Sequence, residues 1–333
     1  MRCTPFLGAL ALSALLAACG GGDNVRPDPP SAKPATARPT PVRVGLALGG
    51  GAAKGFAHIG VIKMLQANDI QVHVVAGTSA GSVVGALYAS GMDAFALQHR
   101  AVALDEASIR DVSLFSGGLL KGQKLQDYVN TQVRSTPLQS LNKPFAAVAT
   151  RLDTGARTVF VRGNTGQAVR ASSSVPGVFE PVTIAGQRYV DGGVTSPVPV
   201  DAARGLGADV VIAVDISSKA TGQQPTSMAG IVNQSVTIMG QRLGQQELAR
   251  ADVVIRPRVG HIGGADFDQR GNAILEGERA ALAALPQIRT AIAEARARKA
   301  AATAPTPSPP PPCDWLDTLG KWVGRGGDCS PRR

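Results

Sequence analysis

Val42 to Leu48 is a short apolar run, β-branched at its start, and this pattern predicts a strand buried on both faces. Glycines follow it. Phe56 to Gln66 then sets Ile59, Ile62 and Leu65 on one face of a helix. Gln71 to Ala76 predicts a second strand, and Gly77 separates it from a helix that runs through Tyr88 and stops at Gly91. Later strands are expected at Phe145–Thr150, Thr158–Val161, Arg188–Val190 and Val210–Asp215, with Val253–Arg256 as a candidate edge strand. Short apolar runs alternating with helical segments predict one α/β domain whose mostly parallel central sheet is covered by helices. No internal repeat interrupts this order.

The two ends of the chain follow other rules. Arg2 precedes an apolar stretch from Phe6 to Ala18, about a dozen residues, which suits a secretory signal and is too short to span a bilayer. Small residues lead into a cysteine at Leu16-Ala17-Ala18-Cys19-Gly20. This resembles the lipobox of bacterial lipoproteins. The likeness implies a signal peptide over residues 1–18, a lipidated Cys19 as mature N-terminus, and sorting to the outer membrane of a Gram-negative envelope, since Gly20 rather than Asp follows. An ordinary signal peptide with Cys19 near its cut stays open. Residues 19–41, rich in Pro, Ala and Gly, read as a flexible tether, residues 42–290 as the folded α/β domain, and residues 291–333 as a Pro-rich basic tail. Export permits a Cys313–Cys329 disulfide in that tail, with two free thiols as the alternative.

Composition narrows the classes without choosing a function. The 333 residues are 44% hydrophobic and only 17% charged, which excludes a coiled coil and a chain disordered throughout. The net charge of +10 suits an anionic membrane surface. No nucleic-acid partner is expected, because aromatics are 4% and no nucleic-acid module spacing occurs.

Three motifs carry candidate chemistry. Gly77-Thr78-Ser79-Ala80-Gly81 is a G-x-S-x-G between a predicted strand and a predicted helix, where small neighbours allow a sharp turn and expose the serine hydroxyl. Ser79 as a mere N-cap is the structural alternative. Gly49-Gly50-Gly51-Ala52-Ala53-Lys54-Gly55 also joins strand to helix, and its N–H groups can converge on an anion. It matches neither a P-loop nor G-x-G-x-x-G, so an oxyanion hole is the better reading. Asp191-Gly192-Gly193 follows a predicted strand, and an aspartate at a strand end suits a site. A turn aspartate is its structural alternative. Asp266-x-Asp268 fails as a calcium loop, with Arg270 in a ligand position and Gly277 where Glu is needed, so no metal or other cofactor is expected.

Taken in order, these motifs resemble the patatin-like phospholipase family, as do Gly45 through Val61, Ala171 to Phe179 and Ser196-Pro197-Val198-Pro199. The resemblance covers about Val42 to Asp215. It implies a three-layer α/β/α patatin-like fold and a Ser–Asp dyad, with Ser79 as nucleophile and Asp191 as base. The N–H groups of Gly50, Gly51 and Ala52 would form the oxyanion hole, and Lys54 would touch substrate head groups or anchor the glycine loop. An exposed Lys54 at the helix start is the plainer alternative. The implied reaction cleaves phospholipid or lysophospholipid esters through an acyl-enzyme. A general esterase or thioesterase would use the same apparatus. An inactive lipid-binding envelope lipoprotein is the rival from another class, and a nucleotide-binding protein is a third. His261 alone follows the acid in chain order, so a Ser–His–Asp triad would have to use it.

Overall fold

The computed structural model describes residues 41–303 apart from 106, 108, 110, 112–119, 220–225 and 227. The signal segment, Cys19, Cys313 and Cys329 lie outside the described residues.

Among the described residues eight strands form one sheet. The parallel set is β1 (Val44–Leu48), β2 (Val74–Thr78), β3 (Phe145–Arg151), β7 (Val210–Val214) and β8 (Val253–Ile255). Antiparallel pairing adds β4 (Arg157–Phe160) to β3, β6 (Gln187–Asp191) to β3, and β5 (Val182–Ile184) to β6. The spatial order is β5-β6-β3-β2-β1-β7-β8, so the sheet is mostly parallel, as expected.

Both faces of the sheet are covered, and side-chain size alternates with the pleat. Leu46, Leu48, Val75, Phe145, Ile212 and Val214 join the larger core with helices α1 (Ala57–Ala67), α2 (Ala80–Ala89) and α8 (Arg270–Thr303). Ala47, Val74, Ala76, Val148, Val211 and Ala213 face the opposite core, closed by α6 (Val200–Gly205) and Leu248 of α7 (Met228–Leu248). Leu, Ile and Phe occur only in the first of these strand sets, whereas the second is built of Ala and Val alone. Burial on both sides is why the strands read as continuous apolar runs. Helices α3 (Ala94–Val102), α4 (Gln123–Gln132) and α5 (Thr165–Ser172) complete the described helices.

Most strand ends lie within one or two residues of the sequence expectation, and two boundaries differ by more. The second strand is Val74–Thr78 rather than Gln71–Ala76, because the register pairs Gly45 with Val74 and Leu48 with Gly77. The folded region also passes residue 290: α8 continues to Thr303, with Ile292 and Ala295 buried in the core. Its Ala- and Arg-rich end resembles a solvated tail in composition, yet about one buried apolar residue per turn, at Ile288, Ile292 and Ala295, docks it. Among the described residues no helix is long and apolar enough to cross a membrane.

Candidate active site

Ser79 sits between β2 and α2 with φ 53° and ψ −124°. A non-glycine residue in this region is strained, and the strain is held by packing. A Cβ on Gly77 would lie 2.4 Å from the Gly81 carbonyl oxygen, and one on Gly81 would lie 2.1 Å from the Leu48 carbonyl oxygen. Both motif glycines are therefore demanded by close backbone approach. The elbow is further closed by the N–H of Ser82 donating to the Ser79 carbonyl at 2.8 Å.

Sheet register brings Asp191 to this serine. Thr78 of β2 pairs with Val148 of β3, and the next β3 residue, Ala149, pairs with Asp191 of β6. One strand therefore separates the elbow from the aspartate, at one level of the sheet. Gly192 turns the chain here against the Val148 carbonyl, where an added Cβ would stand 2.1 Å from its oxygen. The backbone of Asp191 is fixed on both sides: its N–H donates to the Ser174 carbonyl, and its carbonyl accepts from Thr150 Oγ1. Ser172 belongs to the same segment as Ser174. Its Oγ accepts the Ser79 N–H at 3.0 Å and donates to the Val148 carbonyl at 2.6 Å.

The Asp191 carboxyl is buried. Oδ1 accepts the Gly193 N–H at 2.6 Å, while Oδ2 has no well-aligned partner. Burial pushes the carboxyl pKa up to about 6, and the hydrogen-bonding influence of the Ser79 hydroxyl and the Gly193 N–H pulls the other way. A carboxyl so tuned is a competent proton acceptor close to neutral pH.

The glycine loop lies beside the serine, with a Cβ on Gly50 falling 3.2 Å from Ser79 Cβ. Its three candidate donors differ. The Gly50 N–H is already given to the Pro197 carbonyl at 3.0 Å, whereas those of Gly51 and Ala52 have no acceptor among the described residues. Ala52 has φ 50°, a further strained non-glycine position beside the serine.

Lys54 is not the exposed lysine of the plainer alternative. It is buried, and its ammonium donates to Ser218 Oγ at 2.5 Å, bracing the glycine loop against the segment after β7. Burial lowers its pKa. His58, one turn further on, is buried with Nε2 2.8 Å from the Gly49 carbonyl oxygen. Desolvation lowers its pKa to about 4, so the ring is neutral and donates from Nε2. His261 is exposed on the loop before α8 and bonds to no described residue. The groups at the Asp191 carboxyl are Gly193 and Ser79, with no imidazole between acid and serine. Among the described residues no three His, Cys, Asp or Glu side chains gather as a metal site requires.

Sequence reasoning missed Glu247 of α7, which is buried against the Ser196–Val198 loop. No local pattern marks it: in a helix with Arg242, Gln245 and Gln246 it reads as one more solvated charge.

Residues 46–204 match the family model described as patatin-like phospholipase. An uncharacterized NTE family protein of Mycobacterium tuberculosis is 39% identical over 184 residues, covering 54% of this chain and 51% of that protein. The lysophospholipase nte1 of Aspergillus fumigatus is 35% identical over 187 residues, covering 53% of this chain and 12% of that protein. The chain thus spans about half the length of its mycobacterial relatives and much less of the fungal one. In fold it is similar to VipD from Legionella pneumophila, with TM-score 0.55 and 15% identity over 74% of this chain and 67% of that one.

Proposed function

Because residues 46–204 match the patatin-like phospholipase family model, we propose that this protein is a serine acyl hydrolase acting on phospholipid or lysophospholipid esters. The observation that carries the reading is the Asp191 carboxyl, buried and facing the strained Ser79. Ser79 attacks the ester carbonyl and gives its proton to Asp191. The tetrahedral oxyanion is met by the free N–H groups of Gly51 and Ala52, while Gly50, held by Pro197, keeps the loop in place. Collapse expels the alcohol, which takes the proton from Asp191 and leaves an acyl-enzyme. Water then gives a proton to the same aspartate and attacks the acyl-enzyme; the fatty acid leaves as Ser79 takes that proton back. The lysophospholipase name carried by a 35% identical relative supports lipid esters over other acyl groups.

The test uses full-length protein in detergent, a short-chain p-nitrophenyl ester and a fluorogenic phospholipid. Hydrolysis that is lost in both Ser79→Ala and Asp191→Asn, with folds intact, is the expected result. Turnover of neither substrate by folded protein would move the lipid-binding lipoprotein reading to the front. Hydrolysis of the p-nitrophenyl ester alone would favour a general esterase.

The anchor belongs to the same proposal: Cys19 is acylated and holds the domain at the outer membrane of a Gram-negative envelope. Residues 16–20 and the charge of +10 support it. In a bacterial host the parent should incorporate radiolabelled palmitate and pellet with membranes. A Cys19→Ala variant that still does both would sink the assignment.

A further inference from the structure

Glu247 is a buried acid that the reaction above does not use. A buried carboxylate is costly unless its oxygens are bonded. Here Oε1 accepts the Ser196 hydroxyl at 2.5 Å and Oε2 accepts the Val198 N–H at 2.8 Å. Arg157 of β4 stands 3.8 Å away and also pairs with Asp201 of α6, which in turn binds Arg250. The carboxylate thus grips one short loop from both sides and is supported from behind by a charged network.

That loop touches all three parts of the site. Pro197 offers its carbonyl to the N–H of Gly50 in the glycine loop. Ser196 offers its carbonyl to Thr78 Oγ1 at 2.8 Å, one residue before Ser79. The Ser196 N–H donates to the Gly192 carbonyl at 2.7 Å, one residue after Asp191. Glycine loop, nucleophile elbow and acid are therefore tied to one another through Ser196 and Pro197.

We propose that Glu247 is a positioning residue for the hydrolysis: by fixing the Ser196–Val198 loop, it sets the spacing of the oxyanion donors, Ser79 and Asp191 relative to one another. It touches none of the reacting atoms. The proposal rests on the hydrolase reading and extends it to a residue on the far side of the second core. Its physical content is that apolar packing alone cannot hold a loop whose carbonyls must point at Gly50 and Thr78; two directed bonds can.

The test compares the parent with Glu247→Leu, Glu247→Gln and Ser196→Ala on a soluble ester, with kcat normalised to the fraction of sites titrated by an acyl burst. Glu247→Leu should lower kcat by about tenfold or more with KM within about twofold, as expected of a misplaced catalytic group. Glu247→Gln should recover most of the rate, because its amide can still accept from Val198 and donate to Ser196 Oγ. Ser196→Ala, which removes one bond and leaves the helix intact, should fall between them, and it serves as the test if Glu247→Leu does not fold. Folded Glu247→Leu or Ser196→Ala with parental kcat would overturn the proposal. So would a rise in KM at parental kcat, or Glu247→Gln as slow as Glu247→Leu. A parent whose turnover survives Ser79→Ala would instead overturn the hydrolase reading, and the positioning role with it.

Discussion

Oδ1 of Asp191 accepts the Gly193 N–H at 2.6 Å, and Oδ2 of the same carboxyl is buried without a well-aligned partner. The acid is thus half satisfied, and the Ser79 hydroxyl lies within hydrogen-bonding influence of its carboxyl.

In the proposed reaction Asp191 must be ionised to accept a proton, and its pKa is raised to about 6. The profile of kcat/KM against pH should climb through about pH 6 to a plateau, reporting the free enzyme. Stopped-flow hydrolysis of a soluble ester between pH 4.5 and 8.5 measures it. A rate already at its plateau at pH 4.5 would contradict the assignment of Asp191.

Function and stability conflict at this residue. Its folded pKa lies above the ordinary value of 3.8, so burial favours the protonated form, and stability is lost as pH rises from about 4 to about 6. Asp191→Asn removes that ionisation and keeps an acceptor for Gly193. The variant should be inactive yet more stable at pH 7.5 by about 1–3 kcal/mol. Urea unfolding of parent and variant decides it, and a less stable variant would count against the burial argument.

His58 acts in the opposite direction. Its folded pKa of about 4 lies below 6.5, so stability present at neutral pH falls as the pH drops through that window. In His58→Gln, whose amide can still donate to Gly49, this loss is absent. Between pH 7 and pH 5 the variant should therefore gain about 2 kcal/mol relative to the parent. Equal pH dependence of both proteins would show that His58 is not buried as neutral imidazole.

The motif glycines should separate cleanly from others. A Cβ on Gly81 meets the Leu48 carbonyl at 2.1 Å, whereas one on Gly205, at the end of α6, meets nothing within 4 Å. Gly81→Ala should destabilise by about 3 kcal/mol or more, or misplace Ser79 and abolish turnover. Gly205→Ala should be neutral or stabilising by up to about 1 kcal/mol. Denaturation curves for the two variants give the comparison; similar costs would mean that crowding at the elbow is not what selects Gly81.

Much of the site is written in local sequence. The chain turns sharply at Gly77 to Gly81 and at Gly49 to Gly51 because small residues there follow short apolar strands, and a window of a few residues records both facts. The aspartate at the end of β6 is legible for the same reason. The alternation of apolar runs and amphipathic segments likewise determines an α/β sandwich, since a strand buried on both faces must be apolar at every position.

Partners are decided only by the fold. Ser79 and Asp191 are neighbours because Thr78 pairs with Val148 and Ala149 with Asp191, and a shift of one residue in either register would separate them. Gly50 loses its N–H to Pro197 while Gly51 and Ala52 keep theirs, although all three look alike in sequence. Lys54 and Glu247 carry charges that composition assigns to the surface, yet both are buried, because Ser218 and the Ser196–Val198 loop arrive from distant segments to bind them. The same holds for the end of α8, where Ile292 and Ala295 find a core that no local pattern announces. Sequence determines what each segment can form by itself; which hydrogen bonds remain free for chemistry depends on the segments that tertiary packing brings against it.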